Sequence, residues 1–229
     1  MKLNTNSNTY ILAYASLLVI AVAFVLAYFS QALKPIQDKN VALDKKKQII
    51  AALNIRDVND NQVEEYYNKL VEADEIINEK NEVLSAGKPG GENDGFKLNG
   101  GDFKAGKLAL FVCNVDGQKK YVMPVYGMGL WGGISGYIAI NADKETIYGV
   151  YFNHEGETAG LGAEIKDNQK WQHLFADGNQ DAVALSVCKK VDNPATQVDG
   201  VSGATLTCDG VTRMIHEGLG KYLVFLKDK

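Results

Sequence analysis

The run Asp199-Gly200-Val201-Ser202-Gly203-Ala204-Thr205-Leu206-Thr207 places three hydroxyls among small residues just ahead of a stretch with helical spacing. A helix N-terminus leaves backbone N–H groups unpaired and partly positive, so a hydroxyl or phosphate is well received there. Gly200 and Gly203 let such a group come close, because no Cβ stands in its way. The same residues also read as an ordinary helix cap, with Asp209 as a favourable first-turn charge. Both readings stay open on the residues alone.

Two more glycine-rich clusters could line a ligand. His154-Glu155-Gly156-Glu157-Thr158-Ala159-Gly160-Leu161-Gly162 follows a strand pattern and can bring backbone N–H groups against a ring or phosphate, or can simply connect two elements. Tyr126-Gly127-Met128-Gly129-Leu130-Trp131-Gly132-Gly133 is a strand end opening into a turn. Trp131 would either stack on an aromatic ligand or fill the core. No GxxxxGK[ST], strand-to-helix GxGxxG, HExxH or GxSxG occurs, so no catalytic residue is assigned, and His154, His173 and His216 are left without a role.

Composition narrows the classes. With 24 Lys+Arg against 28 Asp+Glu the net charge is -4, which argues against nucleic acid as the main partner. Cys113, Cys188 and Cys208 are odd in number and form no CxxC pair, so neither a disulfide framework nor a metal site is expected. Cys113 and Cys188 lie in apolar strand patterns and read as buried, inert thiols. Cys208 reads as a small packing residue.

The elements that must position these clusters are legible in outline. Strands LALFVCNV and KKYVMPVY flank an Asp116-Gly117 hairpin turn, and GYIAIN with TIYGVYFN makes a second hairpin around Ala142-Asp143-Lys144. A short helix is expected near 167–175, a strand from Ala182, and an amphipathic closing helix from Thr205 through Val211, Met214, Ile215, Leu219, Tyr222 and Leu226. A further helix is expected over 62–77. The stretch 85–107 is a Gly-rich loop, either disordered or a lid over the sheet. The fold class is α+β, with a mainly antiparallel or mixed sheet and flanking helices.

Tyr10 to Phe29 is twenty residues without charge, Gly or Pro. As a helix it rises about 30 Å, the thickness of a bilayer's hydrocarbon core. It has no polar face, and it is longer than the apolar run of a signal peptide, so a single transmembrane helix is expected, continuing after Pro35 as a juxtamembrane helix. Lys34, Lys39, Lys45, Lys46 and Lys47 follow the span while Lys2 precedes it, a bias that would keep the C-terminal side in the cytoplasm.

Asp199 to Thr205 resembles the D-x-x-[ST]-G-A-T motif of the FMN-binding domain family, whose final Thr holds FMN through a phosphoester bond. Glu157-Thr158-Ala159-Gly160-Leu161-Gly162 resembles that family's E-T-P-G-L-G segment, with Ala159 where Pro is usual. Gly129-Leu130-Trp131 resembles the G-L-W stretch of one branch. With the N-terminal span, the layout is similar to the C-subunit family of sodium-translocating NADH:quinone oxidoreductases.

The resemblance implies covalent FMN on Thr205. Ser202, Gly203 and Ala204 would present it, Leu206 and Thr207 would begin the helix under the phosphate, and Leu130, Trp131, Glu157, Thr158, Gly160, Leu161 and Gly162 would line the ring pocket. It also implies an electron relay from NADH towards ubiquinone coupled to sodium export, within a complex of other membrane and flavin-bearing subunits. A flavin transferase that recognises Asp199 would act outside the inner membrane. That places the C-terminal part in the periplasm, against the lysine bias. The implied organisation is 1–9 cytoplasmic, 10–33 transmembrane, 34–99 juxtamembrane helices and Gly-rich loop, and 100–229 FMN-binding domain. The rivals are the G subunit of the related RNF ferredoxin:NAD oxidoreductase and a non-redox, membrane-anchored binding module.

Overall fold

The structure is a computed structural model that describes residues 7–176 and 182–228; the rest of the expected cytoplasmic N-terminus, residues 1–6, lies outside them. Helix α1 (Asn8–Ala52) runs unbroken through Pro35, joining the expected span and juxtamembrane helix into one element. The chain divides into two compact units, Met1–Asp44 and Lys45–Lys229. Within the first unit the apolar side chains from Ile11 to Phe29 point outward on every side, and none of the span is buried. A helix with no packed face and no polar face fits a single-pass membrane anchor.

The second unit is built on an antiparallel six-stranded sheet in the order β2-β1-β3-β4-β5-β6. The strands are β1 (Val71–Asn78), β2 (Val83–Ser85), β3 (Lys107–Val115), β4 (Gln118–Met128), β5 (Gly133–Asn141) and β6 (Ile147–His154). The two expected hairpins form as β3–β4 and β5–β6, the first closed by Asp116 and Gly117 in left-handed conformations. The helix expected over 62–77 ends early. It forms only as α2 (Val63–Leu70), and Val71–Asn78 is instead drawn into the ladder between β2 and β3. Pairing along both edges of a strand outweighs a loose helical spacing of apolar residues.

The stretch 45–99, which the sequence suggests precedes a domain starting at residue 100, therefore folds with that domain. Its Gly-rich loop wraps onto the sheet, with a 3-10 turn at Gly95–Lys97 and α3 (Gly100–Lys104). At the loop's centre is Asp74, fully buried, whose carboxylate accepts N–H bonds from Lys88 and Asp94 at 3.1 Å and from Phe96 at 3.3 Å. Nearby lysines join the same packing. Lys45 donates to the carbonyls of Phe96 and Leu98, the latter at 2.9 Å, and burial lowers its pKa to about 8 against the opposing pull of Asp102. Lys46 is 3 % exposed and pairs with Glu64 and Glu92, while Lys47 pairs with Asp60.

One face of the sheet packs against α6 (Thr205–Gly220), which lies along β4 with Val211, Met214, Ile215 and Leu219 in the core. The closing helix breaks after Gly220, where Tyr222 turns inward and donates its hydroxyl to the Ala109 carbonyl at 2.8 Å. The chain then resumes as α7 (Leu223–Lys227). The helix expected near 167–175 is two pieces, α4 (Glu164–Asp167) and α5 (Gln169–His173). Of the strand expected from Ala182, only Ser186–Cys188 forms (β7), paired in parallel with the unforeseen β8 (Gln197–Asp199).

The outer edge of β6 is covered by Asn54 and Arg56. Asn54 donates to the Tyr148 carbonyl at 2.6 Å, and Arg56 to the Val150 carbonyl at 2.7 Å and to Gln172 at 2.8 Å. An edge strand so capped cannot recruit another chain. Arg56→Ala is expected to lower stability by roughly 2 kcal/mol, from two lost charge-assisted bonds and two acceptors left short of donors. Urea unfolding of the two proteins checks this.

Candidate functional site

The segment leading into α6 is fixed on both sides before it turns. Trp171 donates its indole N–H to the Asp199 carbonyl at 2.7 Å, and the Gly200 N–H bonds the Cys188 carbonyl at 2.8 Å. Gly203 then adopts φ +77, a left-handed turn that brings the chain round to the helix. The N-cap is Ala204, with no side-chain cap, and Thr205 is the first helical residue. Neither Ser202 nor Thr205 caps the helix. Thr205 is exposed, and among the described residues its hydroxyl has no hydrogen-bond partner. An uncapped first turn with a free hydroxyl on it offers both a positive end and a point of attachment.

Two hollows meet at Thr205 and Gly203. One, of about 370 Å³, takes in Leu130, Trp131, Glu157, Thr158, Leu161, Gly162, Ala204, Leu206 and Thr207. The other, of about 290 Å³, takes in Ser202 with Asp199, Lys189, Cys188, Cys208 and Asp209. Gly160 lines neither and serves as a left-handed turn at φ +72. The first hollow is apolar, yet its side chains are not packed away. Trp131 is 69 % exposed and Leu206 57 %, and Leu130 and Leu161 are also exposed. Apolar groups gathered around one hydroxyl and left in solvent mark a surface awaiting a flat, apolar occupant.

Glu157 and Thr207 hold the walls of this hollow together. Glu157 is 7 % exposed; its Oε2 accepts the Thr207 hydroxyl at 2.6 Å and its Oε1 the Trp131 N–H at 2.9 Å. Gly129 and Gly162 pack against this carboxylate so tightly that a Cβ at either would overlap it. One side chain thus ties the β4–β5 hairpin, the loop after β6 and the first turn of α6. Burial pushes its pKa up, but the bonds from Thr207, Trp131 and Leu130 and the nearby His154 hold it below the usual carboxylate value.

A depressed folded-state pKa gives stability that is present above the unfolded value and lost as pH falls through the folded one. Glu157→Gln is therefore expected to cost roughly 1–3 kcal/mol at pH 7. Its melting temperature should converge on wild type as the pH drops below about 4.3, the ordinary Glu value. Thermal melts of both proteins from neutral to acid pH read the convergence.

Lys189 and Cys188 reach the second hollow from β7 and the residue after it, a placement that nothing in their local sequence marks, while Asp209, legible as a first-turn charge, lines the same hollow from α6. Cys188 is half-exposed, not buried as expected, because the short β7 turns it away from the core. Cys113 and Cys208 are buried, and burial raises both thiols. Cys208 accepts the Val201 N–H at 3.3 Å, a packing role at the turn.

Residues 129–220 match the FMN-binding domain family. The chain is 30 % identical to the C subunit of the Na(+)-translocating NADH-quinone reductase of Haemophilus ducreyi, over 99 % of this chain and 97 % of that protein. It is 28 % identical to the Pseudomonas aeruginosa protein of the same name, over 95 % and 94 % of the two chains. Among solved structures, the C subunit from Parabacteroides distasonis superposes with a TM-score of 0.76 at 34 % identity, covering 86 % of this chain and 98 % of that one. Shewanella oneidensis NqrC superposes with a TM-score of 0.63 at 26 % identity, covering 83 % of this chain and all of that one.

Proposed function

The chain belongs to the C-subunit family of the Na(+)-translocating NADH-quinone reductase, and on that premise we propose that it carries FMN covalently, as a phosphoester to Thr205. The residues present fit that group. A free hydroxyl stands at an uncapped helix N-terminus, beside an exposed apolar shelf and between two hollows. That free hydroxyl carries the proposal. The second hollow, with Ser202, Gly203 and Lys189, would receive the phosphate. Leu130, Trp131, Leu161 and Leu206 would cover one side of the ring, with Thr158 and Gly162 at its margin. Bound FMN supplies reversible electron-transfer chemistry that no side chain here has.

This chain's own part is to hold, orient and shield. The Glu157 bonds keep Trp131 and the first turn of α6 in fixed relation. With a ring seated against them, the exposed leucines would exclude water from the attachment point. In this reading the protein relays electrons between other redox centres of a larger membrane assembly, on the route from NADH towards ubiquinone that drives sodium export. A flavin transferase attaches the group, reading Asp199, which lies exposed at the entrance to the turn.

The domain is assigned to the periplasmic side of the inner membrane. The lysine bias opposes this, but a following domain as long as this one translocates largely regardless of flanking charge. Attachment of a small, membrane-impermeant thiol reagent to a cysteine placed at exposed Asp57, in intact cells, tests the side. Labelling without lysis is expected, and labelling only after lysis contradicts it.

A further inference from the structure

The apolar hollow that meets Thr205 contains one ionisable side chain. Its other lining residues are apolar side chains, glycines and threonines; Glu157 alone can carry a charge. Carboxylates are seldom left in such surroundings without a cation beside them.

No cation answers this one. Among the described residues neither Lys nor Arg forms an ion pair with Glu157. Lys189 lies in the other hollow. The His154 Nδ1 accepts the Glu157 backbone N–H at 3.2 Å, an arrangement in which the imidazole is neutral. What holds the carboxylate is a set of neutral donors: the Thr207 hydroxyl at 2.6 Å on Oε2, the Trp131 N–H at 2.9 Å on Oε1, and the Leu130 N–H. Those bonds favour the ionised form, and they stabilise the charge without cancelling it. With 7 % of its surface exposed, solvent screens it little.

Reduction of a flavin ring by an electron pair with uptake of one proton leaves the ring one negative charge richer. A fixed anion in the same poorly screened hollow opposes that gain. We propose that Glu157 sets the reduction potential of the flavin held at Thr205, its unneutralised charge lowering the potential and making the group a stronger electron donor. The statement rests on the flavin reading. Glu157 acts through its field and not by proton transfer, since both its oxygens are taken by protein donors; the proton that accompanies the electrons comes from solvent. The same carboxylate that ties the hairpin to α6 thus also favours passing electrons on over keeping them.

The test separates the charge from the tie. The whole chain, made together with a flavin transferase, is titrated spectroelectrochemically at pH 7 as wild type, Glu157→Gln and Thr207→Val. Flavin load and melting temperature are read on each preparation. Glu157→Gln removes the charge, whereas Thr207→Val cuts the bond between the two residues and keeps the charge. At a fixed solution potential the reduced-to-oxidised ratio of the Gln variant is expected to rise roughly tenfold, about 30 mV for a two-electron couple. Thr207→Val should sit at or below the wild-type potential, even where its melting temperature falls as far as that of the Gln variant. A wild-type potential in Glu157→Gln overturns the proposal. So does an equal rise in Thr207→Val, which would make loosened packing the cause. Should Glu157→Gln take up no flavin, Thr207→Val decides alone: a raised potential refutes the charge, and an unraised one supports it. A wild-type chain without flavin removes the flavin reading and this inference together, while a loaded chain with unshifted potentials removes the inference only.

Discussion

Thr205→Ala is expected to yield a folded, membrane-bound chain with no covalent flavin, in a complex whose quinone reduction falls to background. The substitution should barely touch stability. Thr205 is exposed, its hydroxyl bonds nothing among the described residues, and Ala204 rather than Thr205 occupies the N-cap. Alanine is also the better helix former, so the change should stay within about 0.5 kcal/mol. Loss of the attachment atom is absolute by comparison. Thr205→Ser keeps that atom and should keep at least part of the load. Fluorescence of the denatured band reads the flavin, and assay of the complex reads the consequence. Full covalent load in the alanine variant would remove the attachment from Thr205.

The second large effect lies far from Thr205. Asp74→Ala should destabilise the domain by about 2–3 kcal/mol, because the buried Phe96 N–H and the part-buried Lys88 and Asp94 N–H groups lose their acceptor, and a buried orphan costs roughly 1–3 kcal/mol. Other bonds fasten the loop at its margins, among them Gly90 N–H to the Val71 carbonyl at 2.9 Å and Ser85 to Asp94 at 2.8 Å, while Asp74 joins its two halves. Tyr67 donates its hydroxyl to the Gly91 carbonyl at 3.0 Å, Lys45 holds the carbonyls of Phe96 and Leu98, and Gly91 packs directly on the carboxylate. Gly91→Ala would drive a methyl into that carboxylate and should have an effect of the same sign. Denaturant unfolding of both variants measures it, and faster proteolysis within 86–98 should accompany it.

These two effects show how unevenly the sequence can be read. The Thr205 motif and the two neighbouring clusters are visible because each is contiguous, and glycine and hydroxyl spacing carries a local physical meaning. The hairpins are visible for the same reason, since strand alternation and Asp116-Gly117 are local signals. What joins the clusters is not local. Glu157 reaches Thr207 fifty positions away, and no spacing rule points from one to the other. The family motif suggests that Glu157 lines the ring pocket and that Thr207 begins the helix under the phosphate; both line the hollow beside Thr205, and the bond between them ties its walls together.

The Gly-rich stretch reads as loop or lid because its glycines signal turns, whereas their reason is the buried Asp74 carried on another strand. Strand β1 is hidden by apolar residues spaced well enough for a helix, a choice decided only by its two neighbours in the sheet. The three-residue strands β7 and β8 are too short to show a period.

The most direct measurement is the peptide mass of the wild-type protein made together with a flavin transferase. The expected result is an FMN-sized addition confined to the peptide that contains Thr205, on a yellow protein. An unmodified Thr205 peptide from a folded, colourless protein under the same conditions would contradict the account, and would leave the exposed shelf around Trp131 as the surface of a non-redox binding module.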